Sequence, residues 1–188
     1  MVAPVDQTTR MYCSVADVTT RIDLSTLPTV NLEHLIRAVT QRIEEETARV
    51  FVASSPETRH FLGSGRETLF VDDLLAFTAI SVDGVEQDLT DLLLAMPFGE
   101  LPTRYLLWRY GTLWTERADV AITGTWGYAE RVPWPIWDAC VVLVVRALER
   151  AKIAYQDASA VPELGQLVYA KAVPVDVREV LNQFRRVA

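Results

Sequence analysis

The hydrophobic pattern has a helical period at both ends of the chain and a period of two in the middle. Leu32, Leu35, Ile36, Val39, Ile43, Val50 and Phe51 trace one stripe behind Asn31, which predicts an N-capped amphipathic helix of about twenty residues. Upstream, Val15, Val18 and Ile22 share a helical face after Ser14 and Asp17, a capping-box-like pair, and Pro28 closes that segment. Residues 1–12 show no periodicity and are expected to form a tail. From Ser54 the pattern alternates. Residues 58–62 and 68–71 flank Gly63, Ser64, Gly65 and Arg66, which predicts a hairpin with a four-residue loop. Residues 77–82 and 85–89 flank Asp83 and Gly84, a two-residue hairpin signal. Residues 105–110 predict a further strand, ahead of a turn at Gly111 and Thr112.

The return to a helical period falls within residues 119–152, around which the other elements are arranged. Val120, Ile122, Gly124 and Trp126 share one face of a strand, and Ala121, Thr123 and Thr125 share the other. Gly124 and Gly127 mark a close backbone approach or a bend. Pro133 and Pro135 then preset a first helical turn. The helix that follows is apolar almost all round: Ile136, Ala139, Cys140, Leu143, Val144, Ala147, Leu148 and Ala151 form one face, widened by Trp137, Val141, Val142 and Val145. Such a helix has to be enclosed by other elements or other subunits. Asp138 and Arg146 bracket a run far shorter than the roughly 20 residues that span a bilayer, so it reads as a core helix. Residues 155–173 read as irregular, with Pro162 and Gly165 as breakers. Pro174 and Asp176 open a last helix, residues 174–187. Its apolar face is Val177, Val180, Leu181 and Phe184, with Arg185 and Arg186 at the end where the helix dipole favours cations.

These elements predict an α+β fold: a small helical bundle with an inserted antiparallel β-rich block. The bundle has two N-terminal helices, one central apolar helix and one C-terminal helix. A single domain over residues 1–188 is expected, with helices at 14–53 and 134–187 and the block at 57–128. The length suits one domain that buries about 70% of its unfolded surface. Half of the 188 residues are apolar, which argues against disorder. The net charge of −7, from 25 acids against 18 bases, argues against a general phosphate-backbone binder. Cys13 and Cys140 are too few for a disulfide framework and read as reduced thiols of a cytoplasmic product. The N-terminal residues contain no apolar signal region, so neither export nor a membrane anchor is expected.

No catalytic constellation emerges, and no metal or cofactor site is expected. His34 and His60 have no second ligand at metal spacing and read as structural. Asp72 and Asp73, and likewise Glu44, Glu45 and Glu46, are consecutive on regular elements and point different ways, so solvated charge is the better reading of both groups. Three consecutive helical residues span about 200°, so one or two of the glutamates must face solvent, a neighbour or a lumen, or pair with Arg37, Arg42 or Arg49. Gly124 and Gly127 lack the downstream Lys-Ser/Thr of a phosphate loop. Trp126, Tyr128, Trp134 and Trp137 have two readings: a stacking platform for sugars or bases, or packing where strand, turn and helix meet or where subunits touch.

The stretch AITGTWGYAERVPWPIWDACVVLVVRALER resembles the strand–helix signature of the bacteriophage head–tail connector (adaptor, head completion) family. The layout around it is similar too: YCSVADVTTRI, then a long acidic helix ending IEEETARVF, a β-rich stretch opening ETRHFLG, and a closing VPVDVREVLNQFRRV. The resemblance covers residues 12–187. It implies a non-enzymatic structural subunit of a virion neck ring, made in the host cytoplasm. The implied ring is a homo-oligomer, a dodecamer in the family, without membrane contact. Its implied partners are the portal protein and the next neck or tail protein, with DNA passing through unbound. Val177, Val180, Leu181, Phe184, Arg185 and Arg186 then become a candidate portal-docking arm, and Glu44, Glu45 and Glu46 candidate channel or interface acids. The alternative is a small-ligand or carbohydrate-binding module built on the Trp/Tyr cluster. A monomer whose Trp fluorescence responds to a ligand would distinguish it from a ring.

Overall fold

The computed structural model describes residues 10–22, 31–94, 102–108, 112–152, 158–161, 166–169 and 173–186. The fold is α+β, and the chain divides into a helical unit, Met1–Ala48 with Pro133–Ala188, and a sheet unit, Arg49–Val132.

In the helical unit, α1 (Val15–Thr19) is started by a complete capping box: Ser14 Oγ accepts from the Asp17 N–H, and the Asp17 carboxylate accepts from the Ser14 N–H. Helix α2 (Leu32–Thr47) begins at Asn31, whose side chain accepts from the His34 N–H. It stops short of the expected twenty residues. Ala48 turns left-handed at φ 52°, and its N–H closes on the Glu44 carbonyl. Val50 and Phe51 therefore leave the helical stripe, and Phe51 packs against Tyr128 in the sheet unit, ring centroids 5.5 Å apart. Helix α3 (Trp134–Lys152) starts where the Pro133 carbonyl accepts from the N–H groups of Ile136 and Trp137. It buries Ile136, Ala139, Cys140, Val141, Leu143, Val144 and Leu148. Ile36, Val39 and Ile43 of α2 share this core. Each large aliphatic side chain enclosed this way contributes about 1.5–3 kcal/mol.

Two expectations fail in this unit. Tyr12 is not part of a tail: it is buried, its N–H donates to Thr40 Oγ1 (3.1 Å) and its hydroxyl to Glu44 (2.6 Å). The stretch expected to be irregular contains two strands, β7 (Ala158–Val161) and β8 (Gln166–Tyr169), paired antiparallel with Ala158 opposite Tyr169. Each has only four residues, too short a window for alternation to register. Pro162 and Gly165 lie outside the described residues. The last helix, α4 (Val175–Phe184), buries Val177 and Leu181. The Arg186 N–H beyond its end bonds the Thr47 carbonyl at the end of α2 (2.8 Å).

The sheet unit contains β1 (Glu57–Leu62), β2 (Thr68–Val82), β3 (Val85–Glu86), a 3-10 turn (Leu89–Asp91), β4 (Leu92–Leu94), β5 (Thr103–Trp108) and β6 (Asp119–Trp126). The sheet is antiparallel with order β1-β6-β2-β5-β4, and β3 pairs on β2. The hairpin expected at residues 58–71 does not form, because β6 lies between β1 and β2. The loop after β1 is held instead by the segment before β6: the Gly63 N–H bonds the Ala118 carbonyl, and the Gly63 and Arg66 carbonyls accept from Arg117 and Trp114. Residues 68–71 and 77–82, read as separate strands, belong to one strand of 15 residues. Register shifts near Leu74 and Phe77 break its alternation, which is why it looked like two. The Asp83-Gly84 turn forms as expected, with φ of 49° and 81°. Residues 109–111, the end of one expected strand and part of its turn, lie outside the described residues.

Strand β6 alternates as the sequence requires, turning Val120, Ile122, Gly124 and Trp126 into a core with Leu69, Val71, Leu74, Ile80, Leu106 and Trp114. Gly124 sits where β2 bulges toward it. A Cβ there would collide with the Ala76 carbonyl oxygen and stand 3.1 Å from Phe77 Cα. Gly127, at φ 137°, is pressed against Val52, whose oxygen would lie 2.6 Å from a Cβ.

Candidate assembly surfaces

Among the described residues, no group of three or more His, Cys, Asp or Glu side chains could hold a metal. Nor is any described helix long and apolar enough to cross a membrane. His34 is exposed in the first turn of α2. His60 Nδ1 lies 2.9 Å from the Asp119 carboxylate on the open side of β1 and β6. A cleft of about 530 Å³ in the sheet unit is lined by Val82, Asp83, Val85, Trp108, Leu113 and Trp114, with the two indoles 4.9 Å apart. Its acids have backbone duties. Asp83 accepts from the Asp119 N–H, and Asp88 caps Thr90, whose N–H and hydroxyl hold that carboxyl below the usual carboxylate range. Neither is poised as a general base.

The two consecutive aspartates separate by strand alternation. Asp72 stays half-exposed and pairs with Arg59 (3.0 Å), which also holds Glu57 and covers the Trp126 ring at 4.8 Å. Asp73 is not solvated, contrary to expectation: it is 6% exposed, and Arg49 Nη1 donates to both its oxygens at 2.9 and 3.0 Å. The Arg49 guanidinium lies 5.2 Å from the Tyr128 ring centroid. Burial raises the Tyr128 phenol pKa, with Arg49 opposing and Asp73 reinforcing the shift. The Gly127 N–H bonds the Asp73 carbonyl, the Tyr128 N–H bonds the Val50 carbonyl and the Ala53 N–H bonds the Ala129 carbonyl. The stretches by which the chain enters and leaves the sheet unit are thus laced around one buried ion pair. Sequence reasoning missed it because its charges are 24 positions apart and on no shared periodic face.

The four aromatic residues divide between the units. Trp126 is 1% exposed, packs on Phe61 and donates its indole N–H to the Glu57 carbonyl (3.0 Å), so no face is open for stacking. Tyr128 is half-buried against Phe51 and Arg49. In the helical unit, Trp134 is 78% exposed at the start of α3 and meets Trp137 edge-on at 5.4 Å. The Trp137 indole donates to Asp17 (3.2 Å). Arg21 lies 5.5 Å from the Trp137 ring centroid and pairs with Asp138 (2.8 Å). Backbone and hydroxyl bonds from Ser14, then the Trp137 N–H and the Arg21 charge, hold the Asp17 carboxyl below its usual range. Trp126 is thus a packing residue of the sheet core, and Trp134 is the member of the four that is exposed.

Of the three glutamates, Glu44 is half-buried, takes the Tyr12 hydroxyl and stands 3.6 Å from Arg10. Glu45 is exposed and accepts from Gln41 (2.9 Å), and Glu46 is half-buried. Two of the arginines weighed as partners for them are engaged elsewhere: Arg37 holds Glu33, and Arg49 holds Asp73. The candidate arm is also divided. Val177 and Leu181 are buried within the helical unit, where helical packing consumes the stripe expected for docking. Val180 and Phe184 are half-buried, Arg185 is exposed and Arg186 is half-buried.

Two solved structures share this fold along the whole chain. One, the neck of an empty GTA particle computed with C6 symmetry, aligns at TM-score 0.60 and 18% identity, covering 100% of this chain and 94% of that one. The other, the neck of a native GTA particle computed with C12 symmetry, aligns at TM-score 0.58 and 16% identity with the same coverage. No family model matches the sequence, and no curated protein matches it significantly.

Proposed function

We propose that the chain is a structural subunit of a head–tail connector ring, located in the neck of a phage-like particle and made in the host cytoplasm. The observation that carries this reading is the full-length likeness to chains solved in particle necks, at 100% coverage of this chain. The C12 symmetry applied to one of those necks favours a dodecamer. In such a ring each subunit repeats one heterologous contact, and the rotation closes after the last copy. The exposed Trp134 edge suits a contact that becomes buried on assembly. Portal docking falls to the outer side of α4, through Val180, Phe184, Arg185 and Arg186, since Val177 and Leu181 are enclosed. Glu45 and Glu46 are the acids best placed to face a channel, because Glu44 is engaged with Tyr12 and Arg10. Repeated around a ring, their charge would let DNA slide past, since like charges offer no phosphate contacts to break. No catalytic step is assigned.

The test is mass measurement and electron microscopy of the purified protein, alone and mixed with its portal. Closed rings that cap the portal are expected, with the next neck or tail protein adding beneath. A protein that stays monomeric at all concentrations and ignores the portal refutes the proposal.

A further inference from the structure

Cys13 and Cys140 are 127 positions apart in the chain, yet their sulfurs face each other at 3.5 Å. Both are free thiols and both are enclosed, Cys13 at 5% exposure and Cys140 at 0%. Cys13 immediately precedes the Ser14 cap of α1, and Cys140 lies in the first half of α3. The sulfurs are beyond the bonded distance of about 2.05 Å, so closing the bond requires them to approach by about 1.5 Å. Thr40 Oγ1, 4.0 Å from the Cys140 sulfur, is the polar neighbour.

We propose that Cys13 and Cys140 are a latent disulfide, closed by a low-molecular-weight disulfide such as oxidised glutathione into a bond that staples the N-terminal segment to α3. The Cys13 thiolate attacks one sulfur of the oxidant and expels the other as a thiolate. The Cys140 thiolate then attacks the Cys13 sulfur of the mixed disulfide and releases the second small thiol. The two protein thiols lose two protons and two electrons, and the oxidant is reduced to two thiols. Cys13 reacts first because it is the less enclosed of the pair, at 5% exposure against 0%. The ionisation order agrees. The hydrogen bond from Cys140 lowers the Cys13 thiol pKa, while the same bond and burial raise that of Cys140.

In a reducing cytoplasm the pair stays open, and outside the cell it closes. Subunits would then assemble with both thiols free and become stapled after release. Only that timing rests on the proposed particle role; the bond itself does not.

The experiment equilibrates the full-length protein with mixtures of oxidised and reduced glutathione and measures intact mass before and after alkylation. The expected result is the loss of two hydrogen masses, thiols closed to alkylation and a digest in which the Cys13 and Cys140 peptides travel together. The melting temperature should rise by several degrees and fall back with dithiothreitol. Cys13→Ser and Cys140→Ser should each abolish the two-hydrogen loss. An unchanged mass at equilibrium, stable glutathione adducts on both cysteines or disulfide-linked dimers would each overturn the proposal. The mass readout uses the wild-type chain, so it depends neither on a variant folding nor on rings forming.

Discussion

Replacing Asp73 with Ala tests whether the ion pair holds the sheet unit together. The substitution leaves Arg49, whose side chain is 9% exposed, facing a site that has lost both its acceptors at 2.9 and 3.0 Å. Breaking one partner of a buried pair costs about 3–5 kcal/mol, because the remaining charge is desolvated without compensation. Here the guanidinium keeps its position over the Tyr128 ring, a contact of about 0.5–2 kcal/mol, so the lower end of that range applies. An expected loss of about 3 kcal/mol is roughly a hundredfold in the unfolding equilibrium and about 6–12 °C in melting for a chain of this size. Because the Gly127 N–H bonds the backbone carbonyl of Asp73, a shift of that residue also loosens the return strand. The assay is urea and thermal unfolding of wild type, Asp73→Ala, and the double variant Arg49→Met with Asp73→Leu. The double variant should recover most of the loss, since neither charge is then buried. A single variant that loses less than about 1 kcal/mol, with a double variant no more stable than it, refutes the reasoning.

Three further outcomes are expected. Leu181→Ala should lower stability by about 2–4 kcal/mol in denaturant melts, because Leu181 is enclosed in the helical unit and not held in reserve for a partner. The Asp17 carboxyl is depressed in the folded state, so its contribution is present above the unfolded pKa of about 3.9 and lost as pH falls through the lower folded value; an NMR titration that follows the Trp137 indole N–H should show its bond to Asp17 failing only in that acidic window. If the chain forms the proposed ring, replacing Glu45 and Glu46 with Lys should leave melting nearly unchanged and make the rings retain DNA at low salt but not at high salt; normal rings that retain no more DNA than wild type would place both residues away from the proposed channel.

Much of this architecture was legible from local pattern. The inward row Val120, Ile122, Gly124 and Trp126, the Asn31 cap, the Asp83-Gly84 turn and the apolar α3 each depend on residues close in sequence, where period and cap chemistry act directly. The resemblance to the connector family likewise rested on the order of such elements, and the full-length fold likeness agrees with it. What local pattern could not decide was partnership. Residues 58–71 carry every mark of a hairpin, yet β6 enters between the strands because its own apolar row completes the core from 38 to 67 positions away. The stripe of α2 runs on in sequence through Val50 and Phe51, but a left-handed Ala48 hands Phe51 to Tyr128. Nothing near Asp73 in sequence distinguishes it from Asp72. Which one is buried follows from the strand face that meets Arg49, and that Cys13 and Cys140 meet at all follows from how α1 lies on α3. Periodicity fixes which side of an element avoids water, whereas only closure of the whole chain decides what fills that side.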